Sequence, residues 1–251
     1  MKKILLSGLC ILALSGIVLN SNGISGQVDA ATEVVTSPPS QKIEIPMADG
    51  LKIQGTFYSV SGSEKAPAVL LLHQLGGTRV QWEPLIMPLA QKGYNILAVD
   101  MRGHGLTGGD RNWTLAESDA HALMDWLRKQ PSVDPDHVVV IGASIGANLA
   151  LRVCATDDAC HATIALSPDV NYEGVDARDA IKKMPKKSIF MAASQLDESS
   201  ALGVKSLAFS ASKDVNLLVR IYASSAAHGV GMLGAKDLIP LMMQWLDNYN
   251  N

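Results

Sequence analysis

The sequence has no surplus of positive charge, no metal-ligand spacing and no internal repeat. Lysine and arginine number 21 against 24 aspartates and glutamates, a formal net charge of −3. With no basic excess to neutralise phosphates, the charge balance gives no support to nucleic acid or an anionic membrane surface as a partner. No His-Glu-x-x-His pattern occurs, and Cys154 and Cys160 stand in no metal-ligand spacing, so neither a metal nor a cofactor is expected. The absence of repeats and low-complexity blocks leaves one ordinary domain. Its 47% apolar content is enough for a substantial core.

The N-terminal apolar run, Ile4 to Leu19, is a little short of the roughly 18–20 residues that span a bilayer. Lys2 and Lys3 precede it, and Val28-Asp29-Ala30 ends the segment with small residues. Residues 1–30 therefore read as a signal peptide cleaved near Ala30, and the protein as exported to the periplasm, cell surface or medium. A membrane tether is expected only if the segment stays uncleaved. Cys10 follows Leu9, where a lipid-attachment signal wants a small residue. Residues 31–40, with Pro38 and Pro39, read as a linker before a domain at 41–251. After export, Cys154 and Cys160 could form a disulfide or remain two thiols.

From Gln41 onward, strand-like and helix-like segments alternate. Ile43–Met47 and Leu51–Tyr58 flank Asp49-Gly50 as a hairpin. The continuous apolar run Ala68–Leu72 reads as a strand buried on both faces, and Tyr94–Val99 and His137–Ile141 also read as strands. Thr163–Leu166, Ser188–Ala193 and Leu217–Tyr222 complete about eight strands. Helices are expected at Arg79–Lys92, Leu115–Lys129, Ser144–Thr156, Asp176–Met184, Ser199–Ser212 and Asp237–Tyr249. The pattern predicts an α/β fold, a mostly parallel twisted sheet with an antiparallel start and helices on both faces. Chemistry then belongs in the loops at the carboxyl ends of the strands.

Gly142-Ala143-Ser144-Ile145-Gly146 follows one of those strands and opens a helix. That setting makes Ser144 a candidate nucleophile on a tight strand-to-helix turn, where flanking side chains would collide. The plain alternative is a serine that merely caps a helix. A serine hydroxyl needs a base. Of six histidines, His73, His104 and His228 fall at the carboxyl edge. His228, in the loop after the last strand and followed by Gly229, has the freedom to reach Ser144; otherwise it is a solvated loop histidine. The third member should follow Ser188–Ala193, where Asp197 fits and Glu198 competes.

Leu72-His73-Gln74-Leu75-Gly76-Gly77, Asp100-Met101-Arg102-Gly103-His104-Gly105 and Gly142–Gly146 together resemble the α/β-hydrolase superfamily over residues 41–249. Among its branches the chain looks most like small dienelactone-hydrolase-like and serine-aminopeptidase-like esterases, although dienelactone hydrolases use cysteine where this chain has Ser144. The order Ser144, Asp197, His228 is that superfamily's order. The resemblance implies an oxyanion hole of backbone N–H groups from Ile145 and Leu75, with Gln74 as the alternative to Leu75. Many members have His-Gly where this chain has His73-Gln74, so Gln74 could narrow the site. His73 and the Asp100–Gly105 motif are expected to brace the edge. The connection Ser167–Lys187 is too short for a large cap domain, which predicts an open site and a small or exposed acyl ester as substrate. Trp82, Met101, Asp169, Tyr172 and Met232 are the candidate rim residues. Acyl transfer, peptide cleavage and non-catalytic binding are the rival expectations.

Overall fold

The computed structural model describes residues 37–60 and 64–250. The expected signal segment and residues 31–36 of the expected linker lie outside the described residues. The first strand already begins at Ser40, inside the predicted linker.

In chain order the strands are β1 (Ser40–Pro46), β2 (Lys52–Tyr58), β3 (Ala66–Leu72), β4 (Asn95–Asp100), β5 (Val133–Ala143), β6 (Ala162–Leu166), β7 (Asn171–Tyr172), β8 (Val175–Asp176), β9 (Ser188–Ser194) and β10 (Asn216–Tyr222). Eight of them form one sheet in the order β1-β2-β4-β3-β5-β6-β9-β10. β1 pairs antiparallel with β2, and β2 antiparallel with β4; every other neighbour is parallel. This is the predicted mostly parallel sheet with an antiparallel start. Asp49-Gly50 makes the expected turn, with Gly50 in the left-handed region at φ 86° and its N–H donating to Met47 O over 3.0 Å.

The apolar runs form buried strands because their alternate side chains enter two separate cores. Val69 and Leu71 of β3 face one way, with Ile96, Val139 and Ile141, under helices α1 (Glu83–Gln91) and α6 (Leu238–Asn250). Leu70 and Leu72 face the other way, with Leu97, Val99 and Val140, under α2 (Trp113–Arg128), α3 (Ile145–Thr156) and α5 (Glu198–Ser210). Helix α2 starts two residues earlier than predicted because Asn112 caps it, its side chain accepting from Leu115 N–H at 3.0 Å.

Three short features were not legible in the sequence pattern. The segment Arg79–Trp82 is a 3-10 turn leading into α1. The predicted helix Asp176–Met184 shrinks to α4 (Arg178–Lys182), and the residues before it form the β7–β8 ribbon. Past His228, Gly229–Gly234 forms a second 3-10 turn. Cys154 at the end of α3 and Cys160 before β6 are joined as a disulfide.

Candidate active site

Ser144 stands alone between β5 and α3, with φ 54° and ψ −119°. A residue with a side chain rarely adopts such angles, at a cost of about 1–3 kcal/mol. Its surroundings enforce the conformation. A Cβ on Gly142 would lie 2.0 Å from Gly146 O, and a Cβ on Gly146 would lie 2.3 Å from Leu72 O. No side chain fits at either position, so the turn can be this tight only with glycine at both. Ser144 N–H donates to Leu166 O at 2.8 Å, pinning the turn to the end of β6. Ile145 then opens α3 behind the serine, where unpaired N–H groups and the positive end of the helix dipole converge.

The loops after β9 and β10 meet beside this turn. Gln195 N–H donates to Tyr222 O and Leu196 N–H to Ser225 O, both at 2.9 Å. Ser194 Oγ and Ser225 Oγ lie 3.0 Å apart, and Ala227 N–H donates to Ser225 Oγ. Asp197 follows as the N-terminal cap of α5 and receives the imidazole: His228 Nδ1–H donates to its Oδ2 at 2.7 Å. A carboxylate only accepts, so the proton sits on Nδ1 and Nε2 is left as the basic nitrogen. Ser200 Oγ lies 3.4 Å from the same Nδ1. Glu198, the rival acid, is exposed at the first position of α5 and makes no bond to His228 among the described residues.

His228 and Ser144 are brought together through their neighbours. A Cβ on Gly229 would lie 3.5 Å from the Ala143 Cβ, one residue before the serine. Among the described residues no hydrogen bond joins Ser144 Oγ to the imidazole.

The loop after β3 closes the third side. His73 is fully buried; its Nδ1–H donates to Gln74 O at 2.7 Å and its Nε2 accepts from Met101 N–H at 3.0 Å. Burial lowers its pKa from 6.5 to about 4, so it is a neutral brace, as the sequence led us to expect. Gly77 N–H also donates to Gln74 O, at 2.9 Å, folding residues 74–77 into a turn. The N–H groups of Leu75 and Ile145 have no partner among the described residues.

The motif after β4 holds the edge from below. Buried Asp100 accepts from Arg79 N–H at 2.8 Å, from Leu106 N–H at 2.9 Å and from the Arg79 guanidinium. Arg102 grips Asp119 on α2 with two bonds, Nε at 2.6 Å and Nη2 at 2.8 Å.

Several expected rim residues lie elsewhere. Trp82 is fully buried, turned under the sheet by the 3-10 turn and packed with Leu85 and Leu89, so it cannot touch a substrate. Met101 and Met232 are likewise core residues. Tyr172 packs, half-buried, on the β7–β8 ribbon, which Asn148 of α3 ties down by donating to Asp169 O and Val175 O at 2.9 and 2.8 Å. Asp169 is engaged with Ser199 Oγ at 2.5 Å. Gln74 has its Oε1 occupied by Val230 N–H at 3.0 Å. Ser167, which sequence reasoning passed over, is buried at the end of β6, and its Oγ accepts from Gly229 N–H at 2.9 Å. Its position directly after a strand at the carboxyl edge was the available signal. Among the described residues no group of three His, Cys, Asp or Glu side chains is placed to hold a metal.

An eight-stranded sheet in this order, carrying a serine on a glycine-flanked turn after its fifth strand, defines the α/β-hydrolase class. The chain has the α/β-hydrolase fold, and the family match supports that superfamily. Residues 67–188 match the family model described as the alpha/beta hydrolase fold, a stretch that includes Ser144 and ends before Asp197 and His228. An uncharacterized protein of Mycobacterium tuberculosis is 29% identical over 127 residues, 51% of this chain and 44% of the relative. A polyketide transferase of Stachybotrys chlorohalonatus is 30% identical over 140 residues, 53% of this chain and 46% of the relative. The chain thus spans a little under half the length of the curated relatives it matches. Among solved structures, a Pyrococcus furiosus esterase superposes with a TM-score of 0.73 at 20% identity, covering 86% of this chain and 92% of that one. That likeness is one of fold.

Proposed function

We propose that the protein is a serine hydrolase that cleaves carboxylic esters through an acyl-enzyme on Ser144. The observation that carries this reading is the His228–Asp197 contact of 2.7 Å in a loop packed against the serine turn. Ser144 Oγ attacks the ester carbonyl while His228 Nε2 takes its proton, and Asp197 stabilises the imidazolium. The Ile145 and Leu75 N–H groups donate to the oxyanion. The imidazolium returns its proton to the leaving alcohol, and water activated by His228 releases the acid. The connection from β6 to β9 holds only the ribbon and α4, which supports a small or exposed acyl ester rather than one enclosed by a cap. The Cys154–Cys160 disulfide supports export to an oxidising compartment.

A second reading is acyl transfer, favoured by the polyketide transferase relative. The same acyl-enzyme would then be captured by an alcohol or amine in place of water, and product analysis with both acceptors present separates the two. The direct test uses nitrophenyl acetate and butyrate together with fluorophosphonate labelling. Ser144→Ala is expected to lose labelling and to lower kcat on the order of 10^4-fold or more. Wild-type rates in that variant would remove the serine from the mechanism.

A further inference from the structure

We propose that Gln74 is a positioning residue that sets the His228 imidazole against Ser144 by holding the loop behind it; the proposal rests on the hydrolase reading above. His228 sits at the start of a segment whose next two residues carry the anchoring contacts. Gly229 N–H donates to Ser167 Oγ at 2.9 Å and Val230 N–H donates to Gln74 Oε1 at 3.0 Å. A backbone N–H only donates, so the amide oxygen must face Val230. Gly229 is left-handed at φ 55°, and a Cβ there would lie 2.1 Å from that same oxygen. The glycine and the glutamine are therefore fitted to each other: the backbone comes this close to Gln74 only because residue 229 has no side chain.

The other end of Gln74 is equally fixed. Its carbonyl accepts from His73 Nδ1–H at 2.7 Å and from Gly77 N–H at 2.9 Å. The turn so held presents the free Leu75 N–H. A single residue thus links the loop expected to bind the oxyanion to the loop that delivers the base. The first residues of α3 complete the unit, since Gly146 packs on Leu72 O and His73 O. Glycine in place of Gln74 would keep the backbone carbonyl that accepts from Gly77 N–H but lose the link to Val230. In this chain the side chain takes on the task of fixing how far His228 stands from Ser144. Proton transfer is sensitive to that separation, since a displacement of about 1 Å in a reacting geometry can cost on the order of 100-fold in rate.

The test compares Gln74→Ala, which removes the acceptor, with Gln74→Glu, which retains an oxygen at the same reach. Hydrolysis of nitrophenyl acetate gives kcat and KM, and hydrogen exchange of the intact protein reads the Val230 amide. Gln74→Ala is expected to lower kcat about 10- to 100-fold, to leave KM within about twofold and to raise exchange at Val230. Gln74→Glu is expected to restore most of both. Wild-type kcat in Gln74→Ala, a change confined to KM, or a glutamate variant as slow as the alanine one would each overturn the proposal. Ser144→Ala measured alongside separates the two levels. If it is fully active, the hydrolase reading fails; if it is inactive while Gln74→Ala matches wild type, only the positioning role fails.

Discussion

Acidification should destabilise this protein through His73, by an amount the structure lets us work out. The imidazole uses one nitrogen as donor, to Gln74 O, and the other as acceptor, from Met101 N–H. A second proton would place a donor against a donor, in a position closed to water. Burial, with the His104 ring 5.0 Å away, holds the pKa at about 4 against 6.5. The unfolded chain then takes up the proton first as pH falls. The stabilisation from a neutral His73 is fully present above about pH 6.5 and is lost as pH falls through that value toward 4. Each tenfold difference in proton affinity between the folded and unfolded chain is worth about 1.4 kcal/mol, so below both values the total loss is about 3 kcal/mol. Relative to pH 8, the loss is about 1 kcal/mol at pH 5.5 and about 2–3 kcal/mol at pH 4.5. Urea unfolding at these three values, for wild type and His73→Gln, isolates this contribution, because the carboxylates titrate in both proteins. Wild type should lose stability more steeply by these amounts, and NMR of the intact protein should find the His73 ring neutral at pH 5. Parallel stability profiles together with an imidazole that titrates near 6 would refute the reasoning.

Two further outcomes follow from the same frame. Gly146→Ala would drive a methyl group into Leu72 O and His73 O, so the serine turn must shift; it should lose about 1–3 kcal/mol of stability in urea and most of the proposed hydrolytic rate on nitrophenyl acetate, and wild-type values for both would mean the turn is not as tight as described. Asp119→Ala would leave the buried Arg102 guanidinium with only the half-exposed Asp49 as an acidic partner among the described residues, costing about 3–5 kcal/mol; a shift of the urea midpoint equivalent to less than about 1 kcal/mol would show that the pair contributes no more than a surface bridge.

Most of the sheet was legible in the sequence because strands buried on both faces leave continuous apolar runs, and Ala68–Leu72 and Val138–Ile141 are such runs. The glycine-flanked serine was legible for a steric reason that the structure makes explicit at Gly142 and Gly146. What could not be read locally depended on how a short loop turns. Asp197 and Glu198 are chemically equivalent at the sequence level; the start of α5 separates them, one residue capping the helix toward His228 and the next pointing to solvent. Trp82 looked like a rim residue because it follows a strand end, but four residues of tight 3-10 turn bring it beneath the sheet. Two-residue strands such as β7 and β8 are too short to show any period. Ser167 left no motif at all: its importance lies in a hydrogen bond to Gly229, 62 positions away.

The distribution of satisfied and unsatisfied groups supports placing the proposed chemistry at this edge. Asp100, Arg102 and His73 are buried and richly bonded, each to groups on other segments. Polar groups that are fully paired and dry make a rigid frame but a poor reagent, since nothing is left to offer a substrate. The groups the frame holds out are the reverse. The Ile145 and Leu75 N–H groups and the Ser144 hydroxyl lack partners in the protein among the described residues, and His228 has one nitrogen bound and one free. In the proposed reaction, a carbonyl entering the site would meet two donors, a hydroxyl and a basic nitrogen that are unpaired among the described residues, on loops whose own bonds are made elsewhere. Charge developing on the carbonyl oxygen would then be met by donors that need not reorganise, the condition under which electrostatic stabilisation of a transition state is largest.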